Sequence, residues 1–261
     1  MSELIQWPRA KYWDAPWNPI VGCKHVSPAC DNCYARTAMV ERFGQSFEPH
    51  PSKKQTPPRK GVVFCGNMTD LFGEWVERPS DYLLQTVGGD ATAYLYLTKR
   101  VARMCARLND TLGFVDEEGR VYFRHYYNLG IENHYFGITA ENQEWFVRRA
   151  NDFVDALGGF PGWLKTWLSC EPLLGPVDLD GLAFFLPFNW VVVGCESGPH
   201  RRPCKVEWVE SIVEQCMNAK IPVFVKQLDL NGRCETDISK FPKHLQIRQV
   251  PWAKQEEEAQ R

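Results

Sequence analysis

The chain has 261 residues, of which 44% are hydrophobic and 13% aromatic, enough for one sizeable buried core. The formal net charge of −2 argues against a whole-surface nucleic-acid binder but is compatible with a local basic groove. No apolar run approaches the length of a membrane span, and residues 1–13 lack the apolar core of a signal peptide. We therefore expect a cytoplasmic protein with no membrane partner.

Seven short apolar or β-branched runs recur along the chain and predict strands. Several are apolar almost throughout, which is typical of strands buried on both faces of a parallel sheet. Between them, runs with a period of 3.6 residues predict helices, for example over residues 142–157 and 205–219. The predicted strands cover residues 19–23, 62–67, 93–98, 134–139, 164–172, 190–197 and 222–227.

Strands that alternate with helices indicate βαβ units and a parallel sheet. We predict an α/β fold: a partial or complete parallel (β/α) barrel of about six to seven βα units. Residues 1–234 are assigned to this single domain, with a hairpin inserted near residues 110–133. Residues 235–261 are assigned to a C-terminal extension with a charged tail, KQEEEAQR.

Polar or ionisable residues follow every predicted strand. In parallel α/β barrels the functional site forms at this carboxyl edge. Single residues have ordinary explanations: Glu141 suits the first turn of a helix, and Ser197 suits a helix cap. Their recurrence after all seven strands nevertheless predicts one shared site. Its candidates are Cys23, Asn67, Asp70, Lys99, Arg100, Glu141, Ser169, Glu171, Glu196, Lys226 and Gln227.

Three of the ten cysteines cluster after the first predicted strand, with the spacing Cys23-x6-Cys30-x2-Cys33. Three thiolates suit a 4Fe–4S cluster that keeps one iron open for an outside ligand. A structural zinc site with His25 as its fourth ligand is the rival interpretation. A deaminase-type catalytic zinc is disfavoured, because the chain has no His-x-Glu motif.

The other seven cysteines are scattered singly along the chain. In a reducing compartment cysteines seldom form disulfides, and isolated ones usually behave as small buried hydrophobic residues. These cysteines are Cys65, Cys105, Cys170, Cys195, Cys204, Cys216 and Cys234.

Together with the cysteine motif, several short motifs between Trp13 and about Gly232 resemble the radical S-adenosylmethionine (SAM) enzymes. Within that superfamily the chain resembles an uncharacterised phage and bacterial family with the Cys-x6-Cys-x2-Cys motif. The first cysteine gap is longer than in the commonest pattern, Cys-x3-Cys-x2-Cys, and the Gly-Gly-Glu motif of many such enzymes is absent. The motifs are WNP (17–19), DLFGEW (70–75), LTKR (97–100), ENQ (141–143), LSCEPLLGP (168–176), GCESGP (194–199) and FVKQ (224–227).

The resemblance implies that Cys23, Cys30 and Cys33 bind three irons of a 4Fe–4S cluster and that SAM chelates the fourth. An external one-electron donor would reduce the cluster, SAM would be cleaved reductively, and the resulting 5′-deoxyadenosyl radical would abstract hydrogen from the substrate. The residues implied for SAM binding are Asn67, Asp70, Lys99, Arg100, Glu141, Ser169 and Glu171. Those implied for contact with the substrate are Glu196, Lys226 and Gln227.

The resembling family also suggests a substrate, because relatives occur in phage gene sets that elaborate DNA bases. It implies isomerisation of a modified base, such as an amino-acid-substituted thymine, in the bacterial cytosol or a phage-infected host cell. Basic residues that would guide a DNA backbone are Lys53, Lys54, Arg59, Lys60, Arg100, Arg103, Arg107, Arg201 and Arg202. Aromatic residues that would stack a flipped base are Phe123, His125, Tyr126 and Tyr127.

Each of these sets has an ordinary alternative. Arginines at helical spacing usually form a solvated face, and the inserted aromatic residues would also suit packing over the bottom of the barrel. The alternative function is a zinc-clasped barrel that acts as a nucleic-acid-associated binding protein without radical chemistry.

Overall fold

A computed structural model describes residues 6–115, 121–123, 130–157, 164–179 and 188–252. The helices are α1 (Tyr34–Thr37), α2 (Pro79–Thr86), α3 (Val101–Leu112), α4 (Gln143–Leu157) and α5 (Val206–Asn218), with a π-helical turn over Ala38–Arg42. The strands are β1 (Ala15–Trp17), β2 (Ile20–Val21), β3 (His50–Pro51), β4 (Val62–Cys65), β5 (Ala93–Thr98), β6 (Gly113–Val115), β7 (Val121–Phe123), β8 (His134–Thr139), β9 (Thr166–Cys170), β10 (Trp190–Gly194), β11 (Val223–Leu230) and β12 (Arg233–Glu235).

The predicted α/β class is confirmed. Eight of the described strands form one sheet in the order β1-β4-β5-β8-β9-β10-β11-β12. Its neighbouring strands are parallel except at the last pair, where β11 and β12 run antiparallel as a hairpin. Consecutive parallel strands are joined through helices in several places, as βαβ units require.

Six of the seven predicted strands are present in this sheet, whereas residues 19–23 contain only the short strand β2, which lies outside it. The edge strand is β1, four residues earlier, and Trp17 at its end is buried. Asn18 then turns the chain away, because its side-chain oxygen accepts from the Met68 amide at 3.0 Å. The short strand β2 that follows pairs antiparallel with β3 in a separate ladder.

Both faces of the parallel strands are buried, as their apolar runs predicted. Alternate residues face two different cores. Val63 and Cys65 of β4 pack in the core between the sheet and the helices, whereas Val62 and Phe64 pack in a second core on the opposite face of the sheet. Helix α5 buries Val209, Ile212, Val213 and Cys216 on one face, as its 3.6-residue period predicted.

The second core is rich in large rings, and we call it the aromatic layer. It comprises Tyr12, Phe64, Tyr135, Trp167, Trp190, Phe224 and Trp252. Its contacts require a strongly curved sheet. The rings of Phe64 and Trp167 are 6.2 Å apart, although their strands β4 and β9 would be about 14 Å apart in a flat sheet.

The predicted insertion contains a hairpin, because β6 and β7 pair antiparallel. His125, Tyr126 and Tyr127 lie outside the described residues, as does the tail predicted over residues 254–261. Residues of the predicted extension pack on the main cores: Leu245 on the helices' side and Trp252 in the aromatic layer. Among the described residues, the helices are too short or too polar to cross a membrane.

Candidate functional site

A cavity opens at the carboxyl ends of the parallel strands. All the predicted site residues except Glu141 line it, and every predicted strand end contributes at least one group. Its inner wall is formed by the rings of Tyr12 and Phe64, so the cavity adjoins the aromatic layer. The predicted residues that line it are Cys23, Cys30, Cys33, Asn67, Asp70, Lys99, Arg100, Ser169, Glu171, Glu196, Lys226 and Gln227.

The cysteine loop, residues 22–33, is anchored by its own backbone. Gly22 has a φ of +92°, and a β-carbon there would lie 2.4 Å from the carbonyl oxygen of Glu48. Its amide donates to the Met68 carbonyl at 3.1 Å, and the Cys23 amide donates to the Phe47 carbonyl at 3.1 Å. Only glycine fits this close approach, and the chain then carries Cys23 to the cavity.

All three thiols of the loop are free, partly accessible and directed to the same cavity. Burial, together with the neighbouring carboxylate of Asp70, raises the pKa of Cys23 to about 12. Burial also raises the pKa of Cys33 above its usual value. Binding of a metal would therefore release protons from these thiols, since the thiolate is the ligand.

The rival zinc ligand, His25, is turned to another partner. Its ring nitrogen Nε2 lies 2.7 Å from a carboxylate oxygen of Asp31, and both side chains are about half exposed. Within the described part of the chain, no three or more His, Cys, Asp or Glu side chains are arranged to hold a metal ion. Among the described residues, Cys23, Cys30 and Cys33 are therefore not gathered around a single ion position, with or without His25.

Arg100 is committed to carboxylates of the protein. Its guanidinium contacts Asp70 at 3.2 Å and Glu74 at 2.9 Å, and it also lies over the ring of Trp75. Asp70 in turn accepts from the Thr98 hydroxyl at 2.8 Å. Of the two cations predicted to meet a ligand carboxylate, Arg100 is therefore already paired.

Lys99 is held at the cavity by a buried charge network that lies behind it. Its ammonium is 3.5 Å from Glu141, which forms a second, closer ion pair with Arg149 at 2.5 Å. Burial alone would raise the pKa of Glu141, but Lys99 and Arg149 outweigh it and lower the pKa to about 2. Glu141 thus does not line the cavity; it positions Lys99, which does.

A β-bulge places two consecutive side chains of β11 in the cavity wall. Val193 pairs with Val225, but the next residue of β10, Gly194, pairs with Gln227, so Lys226 is the extra residue. Bulges of this kind interrupt the alternation of sides along a strand. Lys226 and Gln227 therefore both line the cavity.

Lys226 forms an ion pair with Glu171, 2.9 Å from its carboxylate. The Glu171–Pro172 peptide bond is cis. The other carboxylate oxygen of Glu171 accepts from the Tyr12 hydroxyl at 3.3 Å. Burial, with the neighbouring charge of Glu171, raises the pKa of Tyr12, so the phenol stays a neutral donor.

Glu196 is tied to the cysteine loop. It accepts from the Arg202 guanidinium, at 2.5 Å at the closest, and from the side-chain amide of Asn32 at 3.0 Å. Arg202 also contacts Asp31 at 3.3 Å. Glu196, a predicted substrate contact, is therefore already hydrogen-bonded by protein groups. These bonds connect the end of β10 to the loop that carries Cys30 and Cys33.

The basic residues predicted to guide DNA differ in their surroundings: some are engaged by protein groups and others are exposed. Arg103 donates to the Val76 carbonyl, Arg201 pairs with Asp229, and Arg202 pairs with Glu196, so these cations are engaged by protein groups. The side chain of Arg100 is 8% exposed and does not belong to a solvated face. Lys53, Lys54, Arg59 and Lys60 are exposed.

Sequence reasoning missed Tyr12, Asn32 and Arg149, and it named Arg202 only as a guide for DNA, not as the partner of Glu196. Arg149 carried a detectable signal, because it occupies the apolar stripe of α4 formed with Phe146, Ala150 and Phe153. A charged residue on a buried stripe implies a buried partner of opposite charge. Tyr12 and Asn32 lie in loops, where no periodicity marks them.

A family model described as "Protein of unknown function (DUF5131)" matches residues 8–250. The matched span covers most of the chain and includes every residue that lines the cavity. No curated protein and no solved structure matches the chain.

Proposed function

The chain belongs to the DUF5131 family, and we propose that it is a radical SAM enzyme whose cluster is held by Cys23, Cys30 and Cys33. The observation that carries this proposal is the meeting of three free thiols with a lysine and with carboxylates in one cavity at the carboxyl ends of parallel strands. A closed structural metal site would not need such a cavity beside it.

The donor set fits an iron–sulfur cluster with one open iron. Thiolates are the usual ligands of such clusters, and each of the three would bind a separate iron rather than meet at a single ion. When bound, the cluster would supply the electron that cleaves SAM to a 5′-deoxyadenosyl radical. The unpartnered hydroxyl of Ser169 is buried at the cavity wall and offers a hydrogen bond to a ligand, since none of the described residues satisfies it.

Lys99 is the group proposed to receive the carboxylate of SAM. Its neighbour Arg100 already neutralises Asp70 and Glu74. Lys99 by contrast shares one glutamate with the closer Arg149, so the group retains net positive charge toward the cavity. The Glu141 network fixes the ammonium so that little side-chain entropy is lost on binding.

Glu171 and the residues beside it are proposed to orient the ribose and the substrate. The carboxylate of Glu171 is held by Lys226 and Tyr12, so its position is fixed before any ligand binds. Tyr12, Trp13 and Phe64 present apolar surface at the same wall. Such a wall excludes water, which a reactive radical requires.

The fold of the proposed enzyme is a parallel barrel, complete or partial. Support comes from the curvature of the sheet: Tyr12 contacts the rings of both Phe64 on β4 and Phe224 on β11, at 6.1 and 5.5 Å. These strands are five positions apart in the sheet order. The chain near Arg248 adds to the wall of the barrel through two isolated antiparallel β-bridges. One pairs Gln249 with Gln6, and the other pairs Arg248 with Phe224.

The proposed reaction is the isomerisation of a modified DNA base, such as an amino-acid-substituted thymine, with an external one-electron donor. The substrate rests on the family resemblance, and its support in the molecule is the exposed basic stretch of Lys53, Lys54, Arg59 and Lys60. A reducing compartment such as the bacterial cytosol suits a chain whose ten cysteines are free.

The deciding experiment is anaerobic reconstitution with iron and sulfide, followed by EPR of the reduced protein with and without SAM. We expect a 4Fe–4S signal that shifts when SAM is added and release of 5′-deoxyadenosine. Cys30→Ala should lose the signal, whereas the matched control Cys195→Ser, in the same cavity wall but outside the cysteine loop, should keep it. A colourless protein with one bound zinc would contradict the proposal and favour the zinc-clasped binding protein.

The substrate is tested separately from the cluster. Reconstituted protein would be incubated with SAM and with phage DNA that carries an amino-acid-substituted thymine, and the nucleosides would be analysed by mass spectrometry. We expect an isomer of unchanged mass and altered retention. SAM cleavage with no isomer would retain the radical chemistry and discard the DNA substrate.

A further inference from the structure

A chain of hydrogen bonds holds one cavity side chain at the end of β4, and the proposed function does not use it. The backbone amide of Met68 donates to the side-chain oxygen of Asn18 at 3.0 Å. The side-chain nitrogen of Asn18 in turn donates to the side-chain oxygen of Asn67 at 2.7 Å. Asn67 lines the cavity, whereas Asn18, directly after β1, lies behind it.

This chain of hydrogen bonds fixes the orientation of both side-chain amides. A backbone N–H group can only donate, so the Asn18 atom beside Met68 must be its oxygen, and its nitrogen faces Asn67. That nitrogen needs an acceptor, so the Asn67 atom beside it is Oδ1. The Nδ2 donor of Asn67 therefore points away from Asn18, and in the part of the chain that the structure describes no group accepts from it.

The backbone around Asn67 is held as well. Tyr34, the residue directly after Cys33, donates its hydroxyl to the Asn67 carbonyl. Ser52 donates its hydroxyl to the Asn18 carbonyl, so the turn that carries the positioning amide is also fixed. The Nδ2 donor is thus preorganised, although the Asn67 side chain remains partly accessible.

We propose that Asn67 donates through Nδ2 to a carboxylate oxygen of the ligand, beside Lys99, and that Asn18 is the positioning residue that holds it in this orientation. Strands β4 and β5 are paired neighbours, with Cys65 opposite Tyr96. Asn67 follows β4 by two residues and Lys99 follows β5 by one, so both line the cavity at adjacent strand ends. An amide N–H and an ammonium there suit the two oxygens of one carboxylate. The inference rests on the proposed function, in which this carboxylate belongs to SAM.

The same orientation excludes another contact. The amino group of SAM is a donor when protonated, and Asn67 presents a donor to the cavity, so the two do not pair. The oxygen that could accept from an ammonium faces Asn18 instead. Asn67 therefore favours ligands that carry the carboxylate, and a ligand without it gains no hydrogen bond from Nδ2.

The test compares SAM with decarboxylated SAM, which keeps the amine, the sulfonium and the adenosine but lacks the carboxylate. Binding of each to the anaerobically reconstituted full chain would be measured by calorimetry. Asn67→Asp replaces the donor by an acceptor of nearly the same shape. We expect binding of SAM to weaken by about tenfold or more, and binding of decarboxylated SAM to stay unchanged or to tighten.

Asn18→Asp tests the positioning role while leaving Asn67 in place. The new carboxylate still accepts from the Met68 amide but has no hydrogen to donate, so the Asn67 amide should turn its nitrogen toward it and its oxygen toward the cavity. We expect the same selective loss of SAM binding, about tenfold, with little change in melting temperature. Asn231→Asp, at an exposed asparagine, is the control and should leave the binding of both compounds unchanged.

The outcomes separate this inference from the proposed function. If both variants retain SAM binding, or if they lose SAM and decarboxylated SAM equally, the role of Asn67 toward the carboxylate is overturned and the proposed function stands. Failure of the wild-type chain to bind SAM would overturn both.

Discussion

The aromatic layer and the cavity are adjoining parts of the same curved sheet, but different interactions predominate in them. Contacts between rings fill the aromatic layer, and ion pairs surround the cavity. In the aromatic layer, rings from distant strands touch one another, such as Trp167 and Trp190 at 5.2 Å. In the cavity, each carboxylate is matched by a cation: Asp70 by Arg100, Glu171 by Lys226 and Glu196 by Arg202. Tyr12 belongs to both parts.

The difference shows where the free energy of folding and the chemistry are concentrated. Packing of large apolar rings supplies stability, and removal of one leaves a void that rigid neighbours do not fill. Paired charges in a cavity add less, because desolvation offsets much of their attraction. We therefore expect substitutions in the aromatic layer to lower stability, and most substitutions in the cavity to alter binding.

The largest expected effect is in the aromatic layer. Trp167→Ala removes a fully buried ring and the hydrogen bond from its indole to the Tyr96 carbonyl at 3.0 Å. We expect the free energy of unfolding to fall by about 4 kcal/mol, measured by urea denaturation. Trp208→Ala, on a partly buried side chain of α5, is the matched control and should cost much less. Equal losses would refute the contrast.

The next effect is expected in the buried charge network behind the cavity, where an ion pair matters for stability. Glu141→Gln leaves the fully buried Arg149 without its counter-charge. We expect a loss of about 3 kcal/mol in the free energy of unfolding, because an uncompensated buried charge remains.

The pH dependence of stability gives a second test of the Glu141 ion pair. The pKa of Glu141 is lowered to about 2 in the folded protein. Its contribution to the free energy of unfolding is therefore present above pH 4.5, its usual pKa, and is lost as the pH falls through 2. Glu141→Gln should flatten the stability curve in that window. An unchanged acid limb would show that the ion pair does not form.

A smaller acid effect is expected at the other end of β8. Burial, with the charge of Lys165, lowers the pKa of His134 from 6.5 to about 3, although a backbone hydrogen bond opposes it. The unfolded chain therefore binds a proton that the folded chain rejects, and stability falls as the pH drops below 6.5. Denaturation at pH 7.5 and pH 5 should differ by about 2 kcal/mol from this residue. In His134→Gln that difference should shrink; if it persists, another group titrates.

The smallest stability change is expected at the bulge. Lys226→Met removes the ion pair with Glu171 and should lower the free energy of unfolding by about 1 kcal/mol. If SAM is the ligand, as proposed, its binding measured by calorimetry should weaken by about tenfold because Glu171 loses its fixed position. Lys240→Met, an exposed lysine paired with Glu235, is the control and should leave binding unchanged. The reverse pattern would remove Lys226 from the site.

Much of the fold and the location of the site could be predicted from the sequence. Apolar runs and 3.6-residue periods follow from local burial, so strands such as β8 and helices such as α5 were predicted within a few residues. The strand ends located the cavity, because all carboxyl ends of a parallel sheet share one edge.

The rest depended on pairing across the fold. Strand β1 has only three residues and contains Pro16, so its place at the sheet edge follows from its partner β4 and not from its composition. Arg202 and Tyr12 meet their glutamates across loops that carry no periodic signal. The bulge at Lys226 is likewise a property of the pairing of β10 with β11, which one strand alone does not reveal.

The positions of the tryptophans make the intrinsic fluorescence of the protein a probe of the cavity. Trp13 lines the cavity and touches Tyr12 at 4.8 Å, and Tyr12 touches Trp167 and Trp190 at 5.9 and 5.1 Å. Indole emission is quenched by coloured or redox-active groups nearby. Occupation of the cavity by such a group should therefore dim the intrinsic fluorescence, and titration of the unlabelled protein would report loading, loss and replacement in real time.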